Sequence, residues 1–182
     1  MAVTVQTDKK RLGNRVGAHS RSYARLYAVR LLYAAEMCEV PVVEMAHDAQ
    51  QCMDQDRLDE CLYECSNTQR KKCAQFNFFD SFKDGPNEYA RQIVAGVAGE
   101  LARIDGAIAD ASRHWAVFRM PVVDRAILRV AVWELLFNDE VPDSVAINEA
   151  VMIAKDYGGD DSSKFINGVL GKIAGGATHT DA

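Results

Sequence analysis

VDRAILRVAVWELLFNDEVPDSVAINEAVMIAKDYGGDDSSKFINGVLGKIA, residues 123–174, reads as three helices in tandem. Ile127, Val130, Ala131 and Leu135 recur at helical spacing, and Leu128, Val132 and Leu136 widen that stripe until little of the segment can face water. The first helix is therefore a buried one. Pro142 and Asp143 break the pattern, and a second helix follows, with Val145, Ile147, Val151 and Ile153 set among Asn148, Glu149 and Lys155. It ends at Gly158 and Gly159. Asp160, Asp161, Ser162 and Ser163 then offer side-chain oxygens to the free N–H groups of a third helix, whose apolar face is Phe165, Ile166, Val169, Leu170 and Ile173. Tight connections between three such helices make a core.

Working outward, 182 residues at 48% hydrophobic are enough to bury one good core in one domain. The formal net charge of −5 argues against a protein that coats nucleic acid indiscriminately. Its distribution is uneven. Lys9, Lys10, Arg11, Arg15, Arg21, Arg25 and Arg30 stand against Asp8 alone in the first thirty residues, a net of +6 that leaves −11 for the rest. The chain is a basic arm on an acidic body. The apolar run Leu26–Leu32 is interrupted by Arg30 and follows too long a polar lead for a secretory signal, and no segment reaches the ~20 apolar residues of a membrane span, so a cytoplasmic protein is expected. Five cysteines without an export signal point to reduced thiols.

Residues 1–20 carry glycines and charges without apolar periodicity, which predicts a flexible basic extension. From Arg21 to Met37, Tyr23, Leu26, Tyr27, Leu31 and Ala34 fall at helical intervals with Arg21, Arg25 and Arg30 between them, the pattern of an amphipathic helix. Val42–Met53 can form another. The segment 52–86 is the least legible: Cys61 and Cys65 share a helical face, yet the spacing is no zinc-finger pattern and idle thiols are the favoured reading. Arg70, Lys71 and Lys72 beside Phe76, Phe78, Phe79 and Phe82 read as a solvated turn next to a small apolar cluster. Tyr89, Ile93, Val97, Leu101, Ile104 and Ile108 mark a long helix ending near Trp115, and Gly96 and Gly99 inside it suggest close approach of a neighbour. A single helical domain over 21–174 and a disordered tail over 175–182 complete the organisation.

Catalytic patterns are missing. No H-E-x-x-H pair, G-x-S-x-G elbow, P-loop or dinucleotide fingerprint occurs, and the histidines at 19, 47, 114 and 179 are scattered. Asp160 and Asp161 are better explained by capping than by acid–base work. The reading is of a protein that is not an enzyme and needs neither cofactor nor metal.

Several stretches resemble the NusB family of bacterial transcription antitermination factors: Ala24-Arg25 with Ala28-Val29 and Leu32-Tyr33, then Asp124 to Arg129, Trp133-Glu134-Leu135, Val141-Pro142, Val145 to Ala150, Ala154-Lys155, and Ser162 through Leu170. The pieces come in order over about 21–38 and 89–174. The resemblance implies an all-α fold of two small helix bundles and a non-catalytic role. It also implies binding of boxA-type RNA in ribosomal RNA leader transcripts, together with NusE, a small-subunit ribosomal protein, within an RNA polymerase antitermination complex. On this resemblance Arg21, Tyr23, Arg25, Lys164 and Phe165 fall on the RNA side, and Tyr33, Met37 and Asp124 where the family meets NusE. Ser22 and Tyr23 replace basic residues of the family's arginine cluster, and Lys9, Lys10, Arg11 and Arg15 can compensate, because counterion release depends on how many phosphates are neutralised. Phe165 has a rival role as a core residue, and Asp124 as a helix N-terminal residue favoured by the dipole. Replacing Arg21 and Arg25 by alanine is expected to weaken RNA binding and leave thermal stability nearly unchanged.

Other classes stay open on sequence grounds. One is a self-associating helical interaction module, which would make a homodimer. Another is a stand-alone RNA-guiding domain like that attached to ribosomal RNA cytosine methyltransferases, whose cofactor domain would then be a separate subunit. A thiol or metal sensor built on the cysteine segment is the last.

Overall fold

The computed structural model describes residues 20–37, 39–42, 44, 87–112 and 115–177. The basic extension before Ser20, nearly all of the helix expected over Val42–Met53, the cysteine-bearing segment 52–86 and residues 178–182 lie outside them. Among the described residues there are five α-helices, one 3-10 turn and no strand: α1 Arg21–Met37, α2 Glu88–Ala111, the 3-10 turn Val117–Arg119, α3 Val122–Phe137, α4 Asp143–Tyr157 and α5 Ser162–Ala177. The all-α expectation holds. The long second helix stops at Ala111 rather than near Trp115, and α5 continues through Ala177 rather than ending at 174.

Helix α3 is the centre. Of its sixteen residues, ten are buried, among them Ile127, Leu128, Val130 and Val132. It packs against α1, α2, α4 and α5 alike. Ion pairs fix the directions: Arg25 reaches Glu134 while Glu36 reaches Arg125 and Arg129, so α1 and α3 are antiparallel. Tyr89 meets Glu134 and Asn138 while Asp105 meets Arg129, which makes α2 antiparallel to α3 as well.

The amphipathic pattern expected of α1 is not what the fold uses. Every residue from Ala24 to Ala35 is buried, Arg25 and Arg30 included, so α1 is a core helix rather than a surface one. A helix surrounded on all sides needs partners for its charges. The chain leaves it by a tight reversal: Val40 N–H bonds to the Ala35 carbonyl and Glu39 N–H to that of Glu36, with Glu39 in the left-handed region at φ 59°. That is the Schellman arrangement, with glutamate at the position that glycine usually fills.

Gly96 answers the expectation of a close neighbour. A Cβ built there would lie 2.0 Å from Trp133 Nε1 and 2.2 Å from its Cε2, so α2 and α3 touch through a bare backbone and an indole ring. A Cβ at Gly99 would meet nothing within 4 Å among the described residues, and helical geometry lapses one residue later at Glu100 (φ −113°, ψ 15°). Gly158 ends α4 for a similar reason of space: a Cβ would meet Ser162 Cβ at 2.5 Å and the Ala154 carbonyl oxygen at 2.7 Å.

Candidate nucleic-acid and partner surface

The amino end of α1 is tied down before it is charged. Ser20 Oγ accepts from the Tyr23 N–H at 3.1 Å, and its carbonyl accepts from the Ala24 N–H and from Asn87 Nδ2. Asn87 in turn caps α2 by accepting from the Ala90 N–H at 2.9 Å. Two helix starts are thereby joined, with their orphan donors satisfied. Between them lies Tyr89, whose ring is flanked by the guanidinium carbons of Arg21 at 4.9 Å and Arg25 at 5.7 Å.

The two arginines then part company. Arg21 is half-exposed and pairs with Glu140 at 3.0 Å, itself well exposed. Arg25 is 4% exposed and its Nε donates to both oxygens of Glu134 at 2.9 Å, while Nη1 lies 3.7 Å from Glu149. Tyr89 donates its hydroxyl proton to Glu134 and accepts from Asn138. Burial opposes the charge on Arg25, but the hydrogen bond and the charge of Glu134 outweigh it and hold the guanidinium above its ordinary pKa. Tyr89 is pushed far up as well, first by burial and then by Glu134. Arg25 is thus committed to the interior, and the expectation that it can be removed without loss of stability does not survive. Tyr23 is half-buried, with its ring 6.2 Å from that of Tyr27. Sequence reasoning passed over Tyr89, Glu134 and Glu149. A lone acid inside the apolar run from Trp133 to Phe137 was the available signal, since such a carboxylate needs a cation.

The other candidates gather at the opposite end of α3. Sixteen residues at the helical rise separate the two ends by roughly 24 Å. Asp124 sits in the first turn of α3 and is 4% exposed. Its Oδ2 accepts from Ser162 Oγ at 2.9 Å, Ser162 Oγ accepts from the Gly159 N–H at 2.8 Å, and Oδ1 has no hydrogen-bond partner among the described residues. Ser162 therefore turns back to hold the α4–α5 connection against α3, where capping of α5 was expected. Tyr33 is buried and Met37 half-buried near the carboxyl end of α1, which Glu36 ties to Arg125 and Arg129. Lys164 stands 84% exposed at the start of α5, 3.8 Å from the exposed Asp161. Phe165 is half-buried against the core, and its ring lies 6.0 Å from that of Trp115. Trp115 and Phe118 are 53% and 76% exposed, and Arg119 lies over the Phe118 ring. Exposure at this turn was not legible beforehand, because an aromatic residue next to apolar neighbours reads as core. Among the described residues no group of three or more His, Cys, Asp or Glu is placed to hold a metal ion, and no helix is long and apolar enough to cross a membrane.

Burial raises the Asp124 pKa, and the Ser162 hydrogen bond opposes that only in part. A group that binds its proton more tightly when folded weakens the fold above its folded pKa and relieves it as pH falls towards the unfolded value. Denaturation of Asp124→Asn beside the parent should therefore show the parent gaining relative to the variant from neutral pH downward. A constant difference across that window would show that the carboxylate titrates alike in both states.

Four α-helices packed about a fifth, with cationic and aromatic side chains at helix starts, define an all-α helical protein. The NusB family model matches residues 22–175, and the chain belongs to the NusB family. Transcription antitermination protein NusB of Beutenbergia cavernae is 55% identical over 86 residues, 47% of this chain and 56% of that protein. The protein of that name from Leifsonia xyli is 57% identical over 86 residues, 47% of this chain and 60% of its own. The matched part thus spans a little over half the length of these relatives, which are named for a regulatory rather than a catalytic role. A crystal structure of T. maritima NusB superposes with a TM-score of 0.56 at 30% identity, covering 86% of this chain and 91% of that one. A protein chain from a crystal structure of a plectonemic RNA supercoil gives 0.58 at 22% identity, over 88% and 98%, a likeness of fold.

Proposed function

We propose that this chain is an RNA-binding transcription antitermination factor that acts in the cytoplasm with NusE on boxA-type RNA in ribosomal RNA leader transcripts, as part of an RNA polymerase antitermination complex. The observation that carries the reading is the family match over 22–175, which takes in Tyr23 and Arg25 of α1 and the start of α5, and begins one residue after Arg21. Arg21, Lys164 and Phe165 offer two cations and a ring within reach of solvent. Arg25 and Tyr23 act from within, Arg25 by holding Tyr89 and Glu134 beneath Arg21. The two groups stand at opposite ends of α3, whose length is roughly 24 Å, a span that suits a strand of several nucleotides across the surface rather than one base in a pocket. Tyr33, Met37 and Asp124 lie at the same end as Lys164 and Phe165. Because Asp124 is buried, its part toward NusE is to shape that end rather than to present a free carboxylate.

The test is a titration of boxA-type RNA across salt, with and without NusE, against a shuffled RNA. Preference for the boxA sequence with NusE present supports the reading, and equal affinity for the shuffled RNA removes specific recognition. Arg21→Ala should weaken binding severalfold, flatten the salt slope by about 1, and change stability by less than about 1 kcal/mol, since its pair with Glu140 is exposed. Unchanged affinity would take Arg21 off the RNA surface.

A further inference from the structure

Trp115 is an exposed aromatic residue that no family match assigns a role. It follows the end of α2, where its N–H bonds to the Ser112 carbonyl at 3.0 Å. Ser112 Oγ bonds back to the Trp115 carbonyl at 3.0 Å, so the residue is held at both backbone groups. Its ring leans on Phe165 with centroids 6.0 Å apart and planes at 47°, and just over half of the residue stays open to solvent. A tryptophan fixed in this way has given up its freedom without being buried. Leaving so much indole in water costs free energy that a ligand surface would recover.

Two exposed cations are neighbours in the chain of the rings involved, one beside Asp161 and the other over the Phe118 ring. Lys164 is adjacent to the Phe165 that supports the indole, and Arg119 stands exposed on the turn that follows Trp115. Exposed aromatic faces beside cations are the composition of single-strand nucleic-acid surfaces, where bases stack on rings and phosphates meet the charges. A protein segment would be served as well by the ring but would draw less on the cations. From this juxtaposition we infer that Trp115, supported by Phe165, is a base-stacking residue for a single-stranded RNA, extending the Lys164 and Phe165 surface on to the turn between α2 and α3. The inference rests on the RNA-binding reading above and adds a residue outside the matched motifs.

The chain has two tryptophans, and Trp133 is buried against Gly96, so Trp115 can be read by its own fluorescence. The full chain is titrated with end-labelled boxA-type RNA, following label anisotropy and tryptophan emission together. Binding should quench the emission, and Trp115→Phe should abolish most of the quenching while keeping affinity within about threefold. Trp115→Ala should weaken binding by about fivefold to a hundredfold, the range for losing one stacked base. RNA that binds the parent and Trp115→Ala equally, or quenching that persists in Trp115→Phe, overturns the inference and leaves the RNA reading standing. Emission that responds to NusE and not to RNA also overturns it, in favour of a protein contact. No anisotropy change with the parent, with NusE present, removes both. Because Trp115 is half-exposed, its variants should keep the parent's circular dichroism.

Discussion

Arg25→Ala should lower the unfolding free energy by about 3–5 kcal/mol, the range for stripping one partner from a buried ion pair. The loss is large because Glu134 is 1% exposed and receives its charge-assisted hydrogen bonds from Arg25. Without the guanidinium, a carboxylate would stay in the core with a tyrosine hydroxyl for company. Urea denaturation gives the number, read as a fall in the midpoint at constant slope. Replacing both members by apolar residues of similar volume, Arg25→Met with Glu134→Leu, should recover most of the loss, because that change removes the stranded charge rather than creating it. A single variant within about 1 kcal/mol of the parent would mean that water reaches Glu134. Any loss of RNA binding in Arg25→Ala must accordingly be measured on the folded fraction.

Gly96→Val should cost about 3 kcal/mol or more, at the upper end of overpacking effects, because its branched side chain must enter space that Trp133 occupies. The indole can yield only by lifting α2 from α3. Trp133 should report this directly, with emission shifting to longer wavelength as the ring is exposed. Gly99→Ala is the matched control: with nothing within 4 Å among the described residues, it should be neutral or stabilise by up to about 1 kcal/mol through helix propensity. Equal losses at both positions would place the cause in the helix backbone rather than in the contact.

Most of the fold was legible because α3, α4 and α5 are coded locally. Their apolar spacing, Pro142 and the Gly158-Gly159 pair mark beginnings and ends with little reference to distant residues. The burial of α1 was not legible: its arginines sit at positions that periodicity assigns to solvent, and only the placement of Glu134 and Tyr157 shows where those charges go. For the same reason the candidate site was half seen. Arg21, Lys164 and Phe165 were proposed from their residue types and motif positions, and all three reach solvent. The exposure of Trp115 was not legible, since exposure is a property of the packed molecule. Ser162 was taken for a cap because serine before a helix usually is one, and its turn back to Asp124 depends on a contact across 38 positions.

The sharing of α3 has one more consequence. Helices α1, α2, α4 and α5 all pack on it, and the direct contacts between the two pairs are few: Lys172 of α5 donates to the Ala111 carbonyl of α2, Arg25 of α1 reaches Glu149 of α4, and Arg30 donates to Tyr157. A chain assembled this way has no seam. Loosening either pair exposes α3, and exposing α3 deprives the other pair of support, so the described helices are expected to open together, their protected amides exchanging on the timescale of global opening rather than lobe by lobe.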